Sequence, residues 1–345
     1  MKKIRIGNFE ISEDGKVFII AELSANHNGK LKTAIDTIKA AKKAGADCIK
    51  LQTYTADTIT IDSKKDDFKL KQGTIWDGKY FYELYLEAYT PWEWHEELFR
   101  VAKEEGLICF SSPFDKTAVD FLESLHTPAY KIASFEITDI PLIEYVASKG
   151  KPVIISTGIA EEEDIDLALE ACKRSNNDQI ILLKCTSSYP APIEEANMVM
   201  ISDYRRRYNV ISGLSDHTEG ITVPVVATAM GAKVIEKHFI LDRSVGGPDS
   251  SFSMTEEEFK NMVMYVRETE KAIGKVDYKL TDAQIKGKMF SRSLYVVEDI
   301  KVGDVITEKN VRSIRPGFGM HPKYLKNYIG KYSDKAFKRG DRFVL

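Results

Sequence analysis

Two histidines end neighbouring apolar runs, and their ring nitrogens could ligate a metal. His217 follows the run at 210–216, and His238 lies inside the next run, at 234–239. Neutral imidazole is a ligand for Mn, Fe, Co, Zn and Ni, and two imidazoles leave most of a metal's coordination sphere open for a substrate. No HxxxH or CxxC spacing supports a metal. The pair therefore predicts either a metal site or two buried histidines satisfied by hydrogen bonds.

Lysines and serines recur at the ends of other apolar runs. They are Lys50, Lys131, Ser134, Ser156 and Ser215. Ammonium groups supply charge and hydroxyl groups supply directional donors, so together they predict a phosphate-sized anion pocket. The alternative is that each lysine pairs with a carboxylate such as Glu22, Glu136 or Glu236, because an unpaired buried ammonium is costly.

Carboxylate side chains also lie near the ends of the apolar runs. Glu22 and Glu136 are candidates for general acid or base catalysis, with structural ion pairing as the alternative. Asp216 is either a third metal ligand or the group that orients His217 through its second ring nitrogen. His27, in a loop rich in Gly and Asn, is either a surface turn residue or a donor to substrate. The other histidines are expected to be structural or solvent-facing, namely His95, His126 and His321.

Eight apolar runs must position these side chains. Continuous apolar and β-branched runs are typical of strands buried on both faces. We predict strands at 17–24, 48–54, 108–114, 129–134, 152–158, 180–187, 210–216 and 234–239. Helical spacing of apolar residues predicts helices at 31–44, 92–105, 116–125, 140–148, 161–173, 222–231 and 255–273.

The alternation of strands and helices predicts the fold class. Such strands pair in parallel, and eight units predict a closed (β/α)8 TIM barrel. The C-terminal strand ends of that fold face one mouth, where the polar residues above would meet. The segment 55–90 is long and rich in Asp, Lys and Tyr. It predicts either a cover over the mouth or an ordinary surface flap.

From about residue 280 the pattern changes. Short apolar pieces are separated by Gly, Asp and Pro, without an amphipathic run of helix length. This pattern predicts a separate, compact domain that is mostly irregular or β. We place a catalytic barrel at 1–280 and a small β-rich domain at 281–345, joined by a polar linker at about 274–288.

Composition argues against several classes of protein. Lys and Arg number 49 against 52 Asp and Glu, and the net charge of −3 offers no general attraction for nucleic acid or an anionic membrane. No apolar run approaches the roughly 18 residues of a membrane span, and no signal-peptide core is present. The cysteines lack metal-like or redox-like spacing, so we expect reduced, packed thiols in a cytoplasmic protein. They are Cys48, Cys109, Cys172 and Cys185.

A set of short motifs resembles one known family. In chain order they are AELSANHNG, IKLQTY, FSSPFD, AYKIASFE, IISTG, LKCTSSYP, GLSDH, VIEKHF and SIRPGFG. Together they resemble the N-acetylneuraminate (sialic acid) synthase family, and the C-terminal part looks like its antifreeze-like (SAF) domain. Each motif alone is weak, but the set is highly specific and covers essentially the whole chain.

The resemblance implies an activity. Members of the family condense phosphoenolpyruvate with an open-chain amino sugar to give a nine-carbon 2-keto acid and free phosphate. Carried over by motif, His217 and His238 hold a divalent metal, with Mn²⁺ expected and Mg²⁺ or Co²⁺ as alternatives. The phosphoenolpyruvate residues are then Lys50, Ser112, Lys131, Ser134, Ser156, Ser187 and Ser215. Ser187 stands where sialic acid synthases tend to have Asn, so this sequence departs from the pattern there.

The resemblance also implies an acceptor site and a partner. Facing the sugar would be Glu22, Gln52, Phe114, Tyr189, Asp249 and Arg315. Arg315, from the small domain, would reach the site of the other subunit in a domain-swapped homodimer. Glu22 and Glu136 both remain candidates for the acid or base that handles the attacking water.

The residues of several motifs favour one branch of the family. AELSANHNG together with CFSSPF, YKIASFE and RPGFGMHPK is closest to the pseudaminic acid branch, whose acceptor is 2,4-diacetamido-2,4,6-trideoxy-L-altrose. A legionaminic or N-acetylneuraminic acid synthase is the nearest alternative. A metal-dependent barrel sugar aldolase or isomerase, and a carbohydrate-binding role without catalysis, are alternatives from other classes.

Overall fold

The structure is a computed structural model that describes residues 2–71, 73 and 75–344. It divides into two compact units, Met1–Gly274 and Lys275–Leu345. The division lies at the start of the segment predicted as a linker, and the domain limits 1–280 and 281–345 stay a prediction. Within the described residues, no helix is long and apolar enough to cross a membrane.

The larger unit begins with a hairpin that the sequence analysis did not predict. Strand β1 (Lys3–Ile6) pairs antiparallel with β2 (Phe9–Ser12). Its residues Ile4, Ile6 and Ile11 are buried in one core cluster with residues of the barrel interior. The hairpin alternates apolar and polar residues over only four positions per strand, so its periodicity was a weak signal.

Eight parallel strands then form a closed barrel in chain order. They are β3 (Phe18–Glu22), β4 (Cys48–Thr53), β5 (Ile108–Pro113), β6 (Tyr130–Ile132), β7 (Val153–Ser156), β8 (Ile180–Cys185), β9 (Ile211–Asp216) and β10 (Val234–His238). The last strand pairs with the first and closes the ring. Each strand lies inside a run predicted to be one, and the predicted (β/α)8 TIM barrel is confirmed.

Helices surround the barrel and occupy the longer connections. They are α1 (Leu31–Lys43), α2 (Ala56–Ile59), α3 (Phe81–Ala88), α4 (His95–Glu104), α5 (Lys116–Ser124), α6 (Ile140–Ala147), α7 (Glu162–Arg174), α8 (Val199–Tyr208), α9 (Thr222–Ala229) and α10 (Glu256–Ile273). A further helix, α11 (Asp282–Gly287), belongs to the smaller unit. The seven predicted helices are confirmed. Helix α8 was missed because only two of its ten residues, Ile201 and Tyr204, are buried, so its apolar stripe is short.

Strand alternation decides which side chains enter the barrel. One parity gives an apolar inner layer: Phe18, Ile20, Cys48, Phe110, Ala129, Ile154, Leu183 and Val234. The other parity packs outward, so that Ile19 and Ile49 share a core cluster with Ile38 of α1. Because successive side chains of a strand point to opposite faces, the residues two positions beyond the inner layer also face inward. Those residues carry the chemistry.

The smaller unit has its own sheet and core. Strands β11 (Ser293–Val296) and β12 (Val311–Ile314) pair antiparallel. Its core is built from Leu294, Val296, Ile300, Ile306, Val311, Phe337 and Phe343. Much of the remaining chain is irregular, with isolated bridges such as Ile300 with Phe337. The expectation of a small, β-rich and partly irregular domain is confirmed.

Candidate active site

Polar side chains form a layer inside the barrel directly beyond the apolar inner layer. Two residues after apolar positions come Glu22, Lys50, Ser112, Lys131, Ser156 and Glu236, and Ser215 follows Gly213 of β9 in the same way. All of them are buried. The strand ends therefore bring together most of the lysines, serines and glutamates that the sequence singled out, within a single cavity wall.

The two buried lysines are held by two buried carboxylates. Lys50 Nζ lies 2.9 Å from Glu236 Oε1 and 3.2 Å from Glu22 Oε2. Lys131 Nζ lies 3.8 Å from the same Glu236 oxygen, to which Ser215 Oγ also donates a hydrogen bond of 2.9 Å. The lysines pair with carboxylates, as the ion-pair alternative predicted. They also lie among serine hydroxyl groups, as the anion-pocket alternative predicted. Glu236, considered from sequence only as an ion-pair partner, is the centre of this cluster.

Burial shifts the pKa values of these groups in different directions. Burial lowers the pKa of Lys131 to about 8 and raises the pKa of Glu22 to about 7. Burial also acts to lower the pKa of Lys50, but the carboxylates of Glu22 and Glu236 outweigh it, so Lys50 stays charged. Perturbed pKa values of this kind cluster at functional sites.

Several buried polar atoms in the barrel have no hydrogen-bond partner. Among the residues that the structure describes, they include the hydroxyl groups of Ser112, Ser156 and Ser187 and one carboxylate oxygen each of Glu136 and Glu236. Glu22 Oε2 accepts no hydrogen bond either, but the Lys50 ammonium lies 3.2 Å from it. A buried polar group without a partner costs about 1–3 kcal/mol. Their concentration at the strand ends indicates a surface shaped to bind a polar ligand.

A glycine leaves a hollow between two of the predicted serines. The Gly158 N–H donates a 3.1 Å hydrogen bond to Ser134 Oγ. A Cβ atom at position 158 would lie 2.1 Å from Ser187 Oγ and 2.6 Å from Ser134 Oγ. A side chain at position 158 would therefore displace one or both hydroxyl groups from their places beside the backbone amide.

The two candidate metal ligands, His217 and His238, are neighbours. Their ring centroids are 5.3 Å apart. His217 Nδ1 donates a 3.0 Å hydrogen bond to the Thr186 carbonyl oxygen, so in the neutral imidazole Nε2 is the nitrogen with the lone pair. His238 Nδ1 is buried without a hydrogen-bond partner, and burial together with His217 holds the pKa of His238 well below its usual value. A neutral imidazole is the form that ligates metals.

This donor set fits a divalent metal that takes most of its ligands from elsewhere. No group of three or more His, Cys, Asp or Glu side chains that could hold a metal occurs within the described residues. Two imidazole nitrogens are nevertheless available, and Asp249 Oδ2 lies 3.9 Å from His238 Nδ1. The unpartnered nitrogen of His238 is the observation that favours a metal over two histidines satisfied by hydrogen bonds.

Both alternatives for Asp216, and one of the two alternatives for His27, are wrong. Asp216 does not face the histidines: its Oδ2 accepts from Lys237 Nζ at 2.5 Å, and its Oδ1 accepts from Thr218. It follows Ser215 in β9 and therefore points to the outer face of the barrel wall. His27 is not a surface residue, since it is fully buried, with Nε2 3.2 Å from Thr90 Oγ1 and Nδ1 accepting from the Gly29 N–H.

The other histidines behave as predicted. His95 is buried, with Nε2 2.9 Å from Thr53 Oγ1 and Nδ1 3.1 Å from the Pro91 carbonyl oxygen, so it is structural. His126 and His321 are exposed. The four cysteines are free and buried, as expected. Cys185 was given no role, yet its Sγ lies 3.6 Å from His217 Nδ1, inside the site.

The barrel residues predicted to face a sugar lie around the same mouth. Gln52 Nε2 donates to Glu22 Oε1 at 2.9 Å and to Ser24 Oγ at 3.0 Å. Ser24 Oγ in turn donates to Asp249, which makes Ser24 a site residue that sequence reasoning passed over. Phe114 packs edge-on against Tyr54. Arg315 belongs to the smaller unit, directly after β12.

Aromatic rings cover the histidines from the side of the segment 55–90. The Tyr189 ring lies 4.5 Å from the His217 ring and 5.4 Å from the Trp76 ring. Trp76 Nε1 donates a 2.9 Å hydrogen bond to the Pro248 carbonyl oxygen. The segment therefore contacts the mouth, as the cover interpretation expects; its residues 72 and 74 lie outside the described residues.

Comparison with known proteins finds relatives in the family that the motifs resemble, over nearly the whole chain. The chain is 50% identical to a pseudaminic acid synthase of Campylobacter jejuni, over 98% of both chains. It is 36% identical to an N,N'-diacetyllegionaminic acid synthase of Legionella pneumophila, over 91% of this chain and 89% of that one. A crystal structure of an N-acetylneuraminic acid synthetase from Leptospira borgpetersenii, in complex with citrate, superposes with a TM-score of 0.74 at 30% identity, over 83% of this chain and 95% of that one.

Two family models match the two parts of the chain. The NeuB family model matches residues 37–278, which carry most of the barrel. The SAF domain model matches residues 291–341, within the smaller unit. The chain belongs to the NeuB family, the sialic acid synthase family that its motifs resemble, and carries a SAF domain after the barrel.

Proposed function

We propose that the protein is a pseudaminic acid synthase, which condenses phosphoenolpyruvate with 2,4-diacetamido-2,4,6-trideoxy-L-altrose to give pseudaminic acid and phosphate. The main observation in favour of this activity is that two buried lysines and unpartnered serine hydroxyl groups share one barrel interior with two neighbouring imidazoles. This combination can bind an enol phosphate beside a polarised aldehyde. The identity to the Campylobacter enzyme over nearly the full chain supports the choice of acceptor.

Phosphoenolpyruvate would bind among the inner-layer cations and hydroxyl groups. We assign this role to Lys50, Ser112, Lys131, Ser134, Ser156, Ser187 and Ser215. Lys50 and Lys131 would exchange part of their interaction with Glu22 and Glu236 for the anionic ligand, and the serines would donate to its oxygens. Hydrogen bonds to charged groups are the stronger class, worth about 1.5–3 kcal/mol each.

The hollow at Gly158 gives a test of this assignment. Changing Gly158→Ala places a methyl group between Ser134 Oγ and Ser187 Oγ. We expect KM for phosphoenolpyruvate to rise about 10- to 100-fold, the loss of one hydrogen bond to a charged group. Steady-state phosphate release measures it. The matched control is Gly287→Ala, where a Cβ meets nothing within 4 Å; an unchanged KM in Gly158→Ala would contradict the assignment.

The acceptor sugar and a divalent metal complete the site. We assign the sugar contacts to Glu22, Gln52, Phe114, Tyr189, Asp249 and Arg315. His217 and His238 would hold the metal, which we take to be Mn²⁺, with Mg²⁺ or Co²⁺ as substitutes. When bound, such an ion supplies Lewis-acid polarisation of the aldehyde oxygen.

The chain's own groups account for the remaining chemistry. C3 of phosphoenolpyruvate forms the new bond to the aldehyde carbon, and water adds at C2, where positive character develops. The tetrahedral product of that addition collapses with cleavage of the C–O bond to phosphate. Lys50 and Lys131 stabilise the charge of the departing phosphate, an effect that is large where water is excluded. We assign the proton of the attacking water to Glu136, whose Oε2 has no partner, whereas Glu22 is held by Gln52 and Lys50.

We further propose that the enzyme acts in the cytoplasm as a domain-swapped homodimer. The reduced, buried cysteines agree with a reducing compartment. In the dimer, Arg315 of one subunit would bind the acceptor in the barrel of the other. Mixing Arg315→Ala chains with His217→Ala chains should then restore part of the activity, because one of the two sites of a heterodimer carries neither substitution. Mixed chains that stay as inactive as the separate variants would exclude a contribution in trans.

Acceptor trials test the function itself. The protein is incubated with phosphoenolpyruvate, Mn²⁺ and, separately, the altrose derivative, N-acetylmannosamine and the acceptor of legionaminic acid synthases. Phosphate release and the mass of the keto acid are recorded. Turnover is expected to be largest with the altrose derivative. Preference for another amino sugar would assign a sister synthase, and sugar conversion without phosphate release would assign an aldolase or isomerase.

A further inference from the structure

A buried ion pair lies directly behind the two histidines, on the outer face of the barrel wall. Asp216 and Lys237 immediately precede His217 and His238 in β9 and β10, and the two are register partners across the strands. Lys237 Nζ lies 2.5 Å from Asp216 Oδ2, and both side chains are 1% exposed. No step of the proposed mechanism uses either residue.

The hydrogen bonds of Asp216 and Lys237 involve the residues on both sides of His217 in the sequence. Asp216 Oδ1 accepts from the Thr218 backbone N–H at 3.0 Å and from Thr218 Oγ1 at 2.9 Å. Lys237 Nζ also donates to the Thr218 carbonyl oxygen. The residues before and after His217 are therefore tied to one ammonium group, whose own backbone leads directly into His238. One contact thus fixes the backbone at both imidazoles.

Stability alone does not account for a charged pair at this position. Desolvation of two charges commonly cancels their attraction, and apolar residues of similar volume are often as stable or more stable in such places. The neighbouring outer-face residues of the barrel are apolar, for example Leu214 and Ile235 in the same two strands. The pair differs from an apolar contact in its directionality, since it fixes the relative register and orientation of the two strand ends.

We propose that Asp216 and Lys237 are positioning residues that hold the two imidazoles at the separation needed to share one divalent cation. This inference rests on the proposed metal site. Groups that orient metal ligands from behind commonly change metal affinity about 10- to 100-fold when they are removed. The pair acts on His217 and His238 through the backbone and touches neither the metal nor the substrates.

The test uses a double variant that removes the charges and keeps the volume. In Asp216→Asn with Lys237→Met, the Asn oxygen can still accept from Thr218, but the ion pair and the lysine contact to the Thr218 carbonyl are gone. The Mn²⁺ dissociation constant of the full chain is measured from the EPR signal of free Mn²⁺, without substrates. We expect it to rise at least tenfold, while the midpoint of thermal unfolding without metal stays within a few degrees of wild type.

Controls separate positioning from general stability. Asp47 and Arg267 form a 3.1 Å ion pair outside the site, where Asp47 also holds the Ile19 N–H. Asp47→Asn with Arg267→Met is expected to lower the unfolding midpoint without changing Mn²⁺ affinity. If the Asp216 and Lys237 double variant does not fold, Asp216→Asn alone replaces it, with the same direction expected.

The outcomes distinguish this inference from the proposed function. Wild-type Mn²⁺ binding that is lost in His217→Ala, together with an affinity within twofold of wild type in the Asp216 and Lys237 variant, overturns the positioning role and leaves the metal site intact. If the wild-type protein binds no Mn²⁺, or if His217→Ala binds it as tightly as wild type, the positioning role and the proposed metal site are both wrong. A tenfold weaker affinity that also appears in the Asp47 and Arg267 variant would show a general effect of stability, against positioning.

Discussion

Changing His217→Ala is expected to lower the rate of phosphate release about 10³-fold or more, while the barrel stays folded. Without this imidazole the proposed metal keeps only His238 as a protein ligand, and Lewis-acid polarisation contributes several kcal/mol at about 1.4 kcal/mol for each factor of ten. The fold should tolerate the change, because the His217 side chain lines the cavity and packs on Tyr189 and Phe252 without filling the apolar core.

The measurement is a phosphate-release assay with phosphoenolpyruvate, the altrose acceptor and saturating Mn²⁺, with circular dichroism to follow the fold. His126→Ala, at an exposed position, is the matched control and should keep full activity. Retention of more than a tenth of the wild-type rate in His217→Ala would contradict the metal role. A carbohydrate-binding protein without catalysis would instead keep its affinity for sugar in this variant.

The barrel was predictable because its signal is local. Each of the eight strands lies in a run rich in apolar and β-branched residues, and the inward parity of a strand follows from its apolar residues. Ile20 and Cys48 belong to the inner layer, so Glu22 and Lys50 must face inward two positions later. The convergence of the lysines, serines and histidines on one mouth follows from the fold class alone. The family motifs then added the roles that spacing left open.

The errors concern residues whose partners are distant in sequence. Asp216 was expected either to ligate the metal or to orient His217, because it adjoins His217 in sequence. The parity of β9 instead turns it outward, to Lys237, 21 positions away. Glu236 looked like one of several counter-ions, and only the closed barrel shows that it contacts Lys50 across 186 positions. For His27, its Gly and Asn neighbours made a surface turn one of two alternatives, but His27 is buried and contacts Thr90 and Trp94.

The choice between the two candidate bases likewise needed coordinates. Glu22 and Glu136 are equivalent in sequence, and burial raises the pKa of each to about 7. Glu22, however, accepts from Gln52 and pairs with Lys50, so its charge is already used to hold the cation. Glu136 Oε2 is buried without a partner. A carboxylate with a free oxygen and a pKa near the working pH is suited to accept a proton from water.

Changing Glu136→Gln is accordingly expected to lower turnover about 10²- to 10⁴-fold, the usual contribution of a positioned general base. A base must be deprotonated to act. Wild-type kcat/KM should therefore rise with pH through about 7, as Glu136 loses its proton, and fall again through about 8, as Lys131 loses its charge. In Glu136→Gln the rising limb should disappear, because glutamine does not titrate, while the falling limb stays.

The profile is measured as kcat/KM for phosphoenolpyruvate between pH 5.5 and 9.5, since kcat/KM reports the groups of the free enzyme. Glu22→Gln is the matched comparison, with the same volume change beside the same cavity. Because Glu22 pairs with Lys50 and accepts from Gln52, its loss should weaken substrate binding and leave the rising limb in place. A rising limb that survives in Glu136→Gln and vanishes in Glu22→Gln would reverse the assignment and make Glu22 the base.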